Sequence, residues 1–403
     1  MKSEWREYLL GDLYNFSSGL SKNSKEFGFG KPFLSFKTVF NNYILPEELP
    51  DLVNSNVDEQ ERCSIMKGDI FLTRTSETLN ELGMSSVALR DYPEATFNGF
   101  TKRLRPKGKQ IYPLYVAYYM RSPFFRANIN SMASMTTRAS LNNDILSRLP
   151  IQVPTYGEQE KIGDILYSFD KKIKLNHRIN ENLFQQASVF FEKAICQSNS
   201  LSNIELGSLA EVKGGKRLPK GVNLITVPNQ HPYIRVRDLN NAVFASLTKD
   251  YEYVDNETQK TISRYIVSTG DVLISIVGTI GLTTIVDDTL DKANLTENCV
   301  KLTNLKMVTP EYLLLFLRST QGVEAMLKGT VGAVQLKLPI KNIQSISVPV
   351  LCDEELQPLN EILSAIFSQI SANVVEIKKL GELRDTLLPR LISGELDVSA
   401  IQL

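Results

Sequence analysis

The sequence predicts an α+β chain in which two similar mixed α/β domains are each followed by a long helix. Three observations predict it. Residues near 200 repeat residues near 1 in the same order. Each repeat begins with short β-rich runs separated by Gly- and Asn-rich loops. Each repeat ends in a stretch of about 40 residues that is poor in glycine and carries a helical apolar stripe.

The repeat is read from four matches. Leu10-Gly11-Asp12-Leu13 corresponds to Leu206-Gly207-Ser208-Leu209, and Gly68-Asp69-Ile70-Phe71-Leu72 to Gly270-Asp271-Val272-Leu273-Ile274. Pro113-x-Tyr115 with Arg121-Ser122 corresponds to Pro310-x-Tyr312 with Arg318-Ser319, and Ile151-x-Val153-Pro154 to Ile346-x-Val348-Pro349. A nearly constant offset near 200 is too long for a solenoid and fits a duplicated domain. Within each copy, Ile70–Leu72 and Val272–Ile276 read as strands. Helices are expected after Pro113 and Pro310, because proline suits a first helical turn. Gly278-Thr279-Ile280-Gly281 reads as a strand-to-strand turn and only loosely as a phosphate loop.

The long helices are expected from Glu158 to about Cys196 and from Glu355 to about Leu391. The first stripe is Leu166, Phe169, Ile173, Asn176, Asn180, Leu183, Ala187 and Phe190. The second, shifted by 197 residues, is Leu363, Ile366, Ile370, Asn373, Ile377, Leu380, Arg384 and Leu387. Apolar steps of three and four define one face that must meet a partner helix. An amphipathic helix packed only on its own domain is the plainer alternative. At 1.5 Å per residue each helix reaches about 55–60 Å, and two of them can pack on each other.

Composition narrows the chemistry. The chain has 403 residues, no net formal charge and 42% hydrophobic residues, enough for cores. It has only two histidines, His177 and His231, and four scattered cysteines with no C-x-x-C. Zinc ribbons, His-rich metal sites and catalytic His pairs are thereby disfavoured, and lone thiols suit a reducing cytoplasm. The charged start, Met1 to Arg6, reads as no signal peptide, and no apolar run is long enough to span a bilayer. There is no Pro-Pro dipeptide for an amino-methyltransferase loop. None of the three Gly-Lys pairs continues to Ser or Thr as a Walker A loop requires. Pro50-Asp51 lacks the downstream partner of a metal-dependent nuclease. No catalytic constellation emerges.

Binding features remain. The first domain offers Lys22, Lys25 and Lys31 in a Gly-rich loop, Arg74 and Thr75 after a strand, Arg103 and Arg105 in a basic run, and Arg138. The second offers Lys216, Arg217 and Lys220 beside Gly214-Gly215, then Arg235, Arg237, Lys328 and Lys337. Such residues on glycine loops can approach phosphates, and arginine can read base edges. Residues 1–200 carry 25 basic and 22 acidic side chains, and residues 201–403 carry 20 and 23. A DNA site must therefore be a local basic cleft rather than a basic domain.

At the helix starts and near the C-terminal end, the chain resembles the specificity subunit of type I restriction–modification systems. Val153-Pro154 followed by Glu158-Gln159-x-x-Ile162-x-x-Ile165-Leu166 is similar to the start of that family's first conserved helix. The run from Leu383 to Leu396, Leu-Arg-Asp-Thr-Leu-Leu-Pro-Arg-Leu-Ile-Ser-Gly-Glu-Leu, is similar to its C-terminal ending. The second helix departs from the pattern with Asp353-Glu354-Glu355-Leu356 and Pro358, so its start is expected a residue or two later.

The resemblance implies target recognition domains at 1–154 and 198–350 and conserved helices at 155–197 and 351–403. The domains would lie in inverted orientation, separated by an antiparallel two-helix coiled coil. Each would read one half of a split duplex DNA sequence, and the coil would set the spacing. The subunit would be non-catalytic and bind no cofactor itself. It would dock two modification subunits that use S-adenosylmethionine and two restriction subunits that use ATP and magnesium. In such a coil Asn176 and Asn373, both near helix centres, are expected to meet and fix register, with Asn180 as the alternative partner. The competing class is a coiled-coil scaffold whose duplicated domains bind protein rather than DNA.

Overall fold

The computed structural model describes every residue except 1–4, 77–80, 133, 136–138, 333–334 and 399–403. The chain divides into two compact units, Met1–Leu175 with Glu376–Leu403, and Asn176–Val375. The long helices run Tyr156–Gln197 and Asp353–Ile392, so each unit holds one part of each.

The first unit is built on a four-stranded antiparallel sheet in the order Tyr14–Ser18, Thr101–Pro106, Ile70–Thr73, Ser85–Val87. The second unit repeats that order with Glu211–Gly214, Cys299–Thr303, Val272–Ser275, Thr283–Val286, and adds Phe244–Ala245 alongside. Beside each sheet lies a smaller one. There Phe27–Leu34 pairs with Thr96–Phe97 in parallel, as Tyr233–Ile234 pairs with Asn294–Leu295.

The repeated motifs are the joints of this fold. Gly68 and Gly270 adopt φ of 91° and 85°, which glycine reaches without strain. The following Asp69 and Asp271 accept the amides of Met66 and Ser268 at 2.8 and 2.9 Å, closing the turn into the central strand. Pro113 and Pro310 open helices Pro113–Tyr119 and Pro310–Arg318. The tyrosine two residues later is buried, and its hydroxyl donates to the strand of the last motif: Tyr115 to Gln152 O at 3.2 Å, Tyr312 to Pro349 O at 2.8 Å. Arg121 then donates to the carbonyls of Val39, Phe40, Asn42 and Ser85, and Arg318 to those of Ala242 and Thr283. Burial lowers both guanidinium pKa values to about 10, and the carbonyl bonds offset the cost of that desolvation. The Gly278–Gly281 segment is the turn between antiparallel strands, as its sequence indicated.

The helices serve both as coil and as core. In the first unit Ile162, Leu166, Leu388, Leu391 and Ile392 belong to the domain's own cluster. Gly163 lies so close that a Cβ would stand 2.8 Å from Tyr115 N. In the second unit Ala187, Phe191, Leu356, Leu359, Leu363 and Phe367 do the same. The first stripe therefore ends on Phe191, 3% exposed, and not on Phe190, 43% exposed, because a 3.6-residue period drifts from the heptad. The second helix starts at Asp353, earlier than expected: Pro358 removes one backbone donor near the helix start and does not delay it.

Within each unit the helical segments run antiparallel. In the first, Asp170 accepts from Arg384 at 2.5 Å and Lys172 pairs with Glu376 at 3.6 Å. Tyr118 donates to the same Asp170 at 2.6 Å, and the Arg384 guanidinium lies over the Tyr43 ring at 5.3 Å. In the second unit the rings of Phe184 and Phe367 meet at 6.3 Å, and Ser198 donates to Glu355 at 2.5 Å. Asn176 and Asn373 are both buried, and the partner of Asn373 is Asn180, to which it donates at 2.7 Å. Gln369 donates to the Asn373 carbonyl at 2.9 Å.

Candidate nucleic-acid interface

Both units contain the same cradle. After the first sheet strand the chain turns at a glycine that touches the loop leaving the parallel strand. A Cβ on Gly19 would stand 2.3 Å from the carbonyl oxygens of Phe97 and Asn98. One on Gly215 would stand 2.0 and 2.4 Å from those of Thr296 and Leu295. The next amide closes the contact: Leu20 N to Phe97 O at 2.7 Å, Lys216 N to Leu295 O at 2.8 Å. Matching the cradles sets Ser21 beside Arg217 and Gly99 beside Glu297. Matching the parallel strands sets Ser35 beside Arg235 and Lys37 beside Arg237.

In the second unit the cradle edges a groove of about 400 Å³ lined by Arg217, Tyr233, Arg235, Arg237, Glu297 and Asn298 among others. Arg217 is 81% exposed, and its Nε donates to Glu297 at 2.7 Å. The carboxylate raises the Arg217 pKa. Glu297 also accepts from the Thr296 hydroxyl at 3.1 Å. Arg235 is held by Asp238 at 3.3 Å and by Glu252, and Arg237 reaches Glu252 at 3.4 Å. Lys216 is exposed over the Tyr265 ring at 5.5 Å, and Lys220 is exposed nearby in sequence. Arg217, Arg235 and Arg237 thus converge on one groove. Lys328, paired with Glu324 at 3.3 Å, and Lys337 do not line it.

In the first unit Lys22 pairs with Glu59 at 2.8 Å and Glu26 at 3.3 Å, and Lys31 with Glu94 at 2.6 Å. Lys25 is exposed; Arg74 and Thr75 are half-buried. Arg138 lies outside the described residues. The basic run at 102–109 starts inside the sheet and ends exposed at Lys107 and Lys109. Arg103 and Arg105 sit on the strand Thr101–Pro106, which has a neighbour on each side. Arg103 is 7% exposed, and its guanidinium donates to Ser64 O at 2.5 Å and to Ser17 Oγ at 3.2 Å. Arg105 grips Asp69 through two bonds of 2.8 and 2.6 Å. Arg103 is thus spent inside the sheet, and Arg105, half-buried, is committed to Asp69.

Sequence reasoning did not single out Glu297 and Asn298, which line the groove, or Phe29 and Phe100 in the first unit, which are 51% and 60% exposed. The glycine alignment was the available signal, since Gly19 and Gly215 fall at the repeat offset. No cluster among the described residues could hold a metal ion, and no described helix is long and apolar enough to cross a membrane.

Two homologous mixed domains joined to paired long helices, with a basic groove in the second, define a tandem recognition protein. The profile of the type I restriction modification DNA specificity domain matches residues 2–185 and 201–383. The chain therefore belongs to the type I restriction–modification DNA specificity family. The type I restriction enzyme HindI specificity subunit of Haemophilus influenzae is 22% identical, with 98% of this chain and 100% of that protein covered. The MjaIX specificity subunit of Methanocaldococcus jannaschii is 20% identical over 86% of this chain and 83% of that one. The solved S subunit of a type I system from M. genitalium shares the fold with a TM-score of 0.56 at 15% identity, with 96% of each chain covered.

Proposed function

We propose that this chain is the non-catalytic, DNA-reading subunit of a type I complex and that residues 1–154 and 198–350 each read one half of a split, asymmetric duplex sequence. The conserved helices at 155–197 and 351–403 set the interval between the half-sites. They dock two modification subunits, which bring S-adenosylmethionine to an adenine, and two restriction subunits, which bring ATP and magnesium. The complex works in the cytoplasm. The observation that carries this reading is the repeated cradle with unlike rims. Gly19 and Gly215 make the same close approach to backbone, while Ser21 and Gly99 in one unit correspond to Arg217 and Glu297 in the other. A constant scaffold with variable rim chemistry suits two modules that read different bases.

The test is an exchange of residues 1–150 for the equivalent domain of a relative, followed by methylation mapping. One half of the target should change and the other should stay. A target changed in both halves would refute the modular assignment, and absence of sequence-dependent duplex binding would refute the DNA assignment.

A further inference from the structure

We propose that Arg217 and Glu297 act as one unit that reads a single guanine–cytosine pair within the half-site of the second domain. The inference rests on the DNA-reading function above and goes further by naming residues and a base pair.

The first argument is that the fold does not need this pair. The first unit builds the same cradle with Ser21 and Gly99 at the corresponding positions, and its backbone contact of 2.7 Å matches the 2.8 Å of the second. An ion pair whose arginine is 81% exposed adds little to stability. Two charged side chains held at a groove, and absent from the matching positions of the first unit's cradle, therefore point to a ligand.

The second argument is the hydrogen-bonding inventory. Arg217 spends its Nε on Glu297, and no hydrogen bond holds its terminal nitrogens among the described residues. Those nitrogens form a fork that matches guanine O6 and N7. Glu297 accepts from Arg217 and from Thr296, and a carboxylate has about four lone-pair sites. What remains can only accept. On cytosine the major groove offers one donor, the N4 amino group, beside the two guanine acceptors. Two donors followed by an acceptor on the protein thus match two acceptors followed by a donor on the base pair.

The third argument is electrostatic. A carboxylate facing DNA is repelled by phosphates unless a cation neutralises it and a base donor engages it. Arg217 supplies the cation at 2.7 Å. On the same groove Arg235 and Arg237 share Glu252, and Arg237, 62% exposed, is placed for a phosphate. The groove thus has a base-reading part and a backbone-holding part.

The experiment selects duplexes randomised across the second half-site, using the full chain assembled with a modification subunit. The wild-type, Arg217→Ala, Glu297→Ala and Glu297→Gln proteins are compared, with thermal melting of each to establish folding. The wild type should demand guanine–cytosine at one position. Arg217→Ala should lose about 5- to 150-fold of discrimination at that position, the range for one good bidentate base contact. Glu297→Ala should lose discrimination there too, and Glu297→Gln, whose amide oxygen still accepts from cytosine N4, should lose less; all three keep their other preferences. Uniform weakening of Arg217→Ala on all sequences, with the salt slope of log K reduced by about one, would make Arg217 a phosphate contact and overturn the proposal. Unchanged selection by all three variants would overturn it too. A wild type that selects no sequence would instead remove the DNA-reading function itself, so the two failures are distinct.

Discussion

Replacing Gly215 with alanine probes the cradle directly. The new Cβ would lie 2.0 Å from Thr296 O and 2.4 Å from Leu295 O, so the two segments must part by about 1 Å before even a tight contact is reached. That movement breaks the bonds from Gly215 N to Cys299 O at 3.0 Å and from Lys216 N to Leu295 O at 2.8 Å. Each such bond contributes about 0.5–1.5 kcal/mol, and relieving an overpacked contact costs about 1–3 kcal/mol. The expected destabilisation is about 2–6 kcal/mol, confined to the second unit. At about 2–4 °C per kcal/mol for a unit of this size, its melting midpoint should fall by roughly 4–24 °C in calorimetry. Discrimination in the second half-site should suffer while the first is kept. Gly157→Ala is the control, since nothing lies within 4 Å of its Cβ position. A Gly215→Ala protein that melts and discriminates like the wild type would show that this close approach does not shape the groove.

Three further outcomes are expected. Gly381 sits inside the second long helix with open space where a Cβ would stand, so Gly381→Ala should stabilise the first unit by about 1 kcal/mol, read by chemical denaturation. Replacing both Asn180 and Asn373 with leucine removes a polar pair from the seam; the melting temperature should rise, while methylation should tolerate spacers one base pair longer or shorter. Inserting four residues into one long helix adds about 6 Å, or roughly two base pairs, and methylation mapping should show a longer preferred spacer between unchanged half-sites.

The duplication was legible because the repeated motifs are packing joints, and the same joint needs the same residues twice. Asp69 and Asp271 close the same turn, and Tyr115 and Tyr312 reach the same strand. Recognition residues are harder to read for the converse reason: Arg217 and Glu297 lie where the copies differ, so no repeat marks them. Charge density alone did not show that Arg103 is buried and Arg105 half-buried, because a basic run can be a central strand whose carbonyl and carboxylate partners come from distant segments. In the helices the stripe located the buried asparagines, but a period alone could not choose between Asn176 and Asn180 one turn away. Across the seam the Asn373 amide donates to Asn180.

The Asp170–Arg384 contact makes the helix pairing self-sorting. By the 197-residue shift, Asp170 corresponds to Phe367 and Arg384 to Ala187, so the charged contact of one unit answers to an apolar position in the other. Two copies of the first helix laid against each other would set Asp170 opposite Ala187. Two copies of the second would set Arg384 opposite Phe367. The first arrangement leaves the partly buried Asp170 without its counterion, a cost on the order of a few kcal/mol after allowing for residual solvent contact, while in the second Arg384 loses Asp170 and keeps only Asp385 of its own helix, at 2.7 Å. The two helices are alike enough to be recognised as repeats, yet each carries a complementary key that only the other fits. A chain assembled from like halves would be rejected by its own seam.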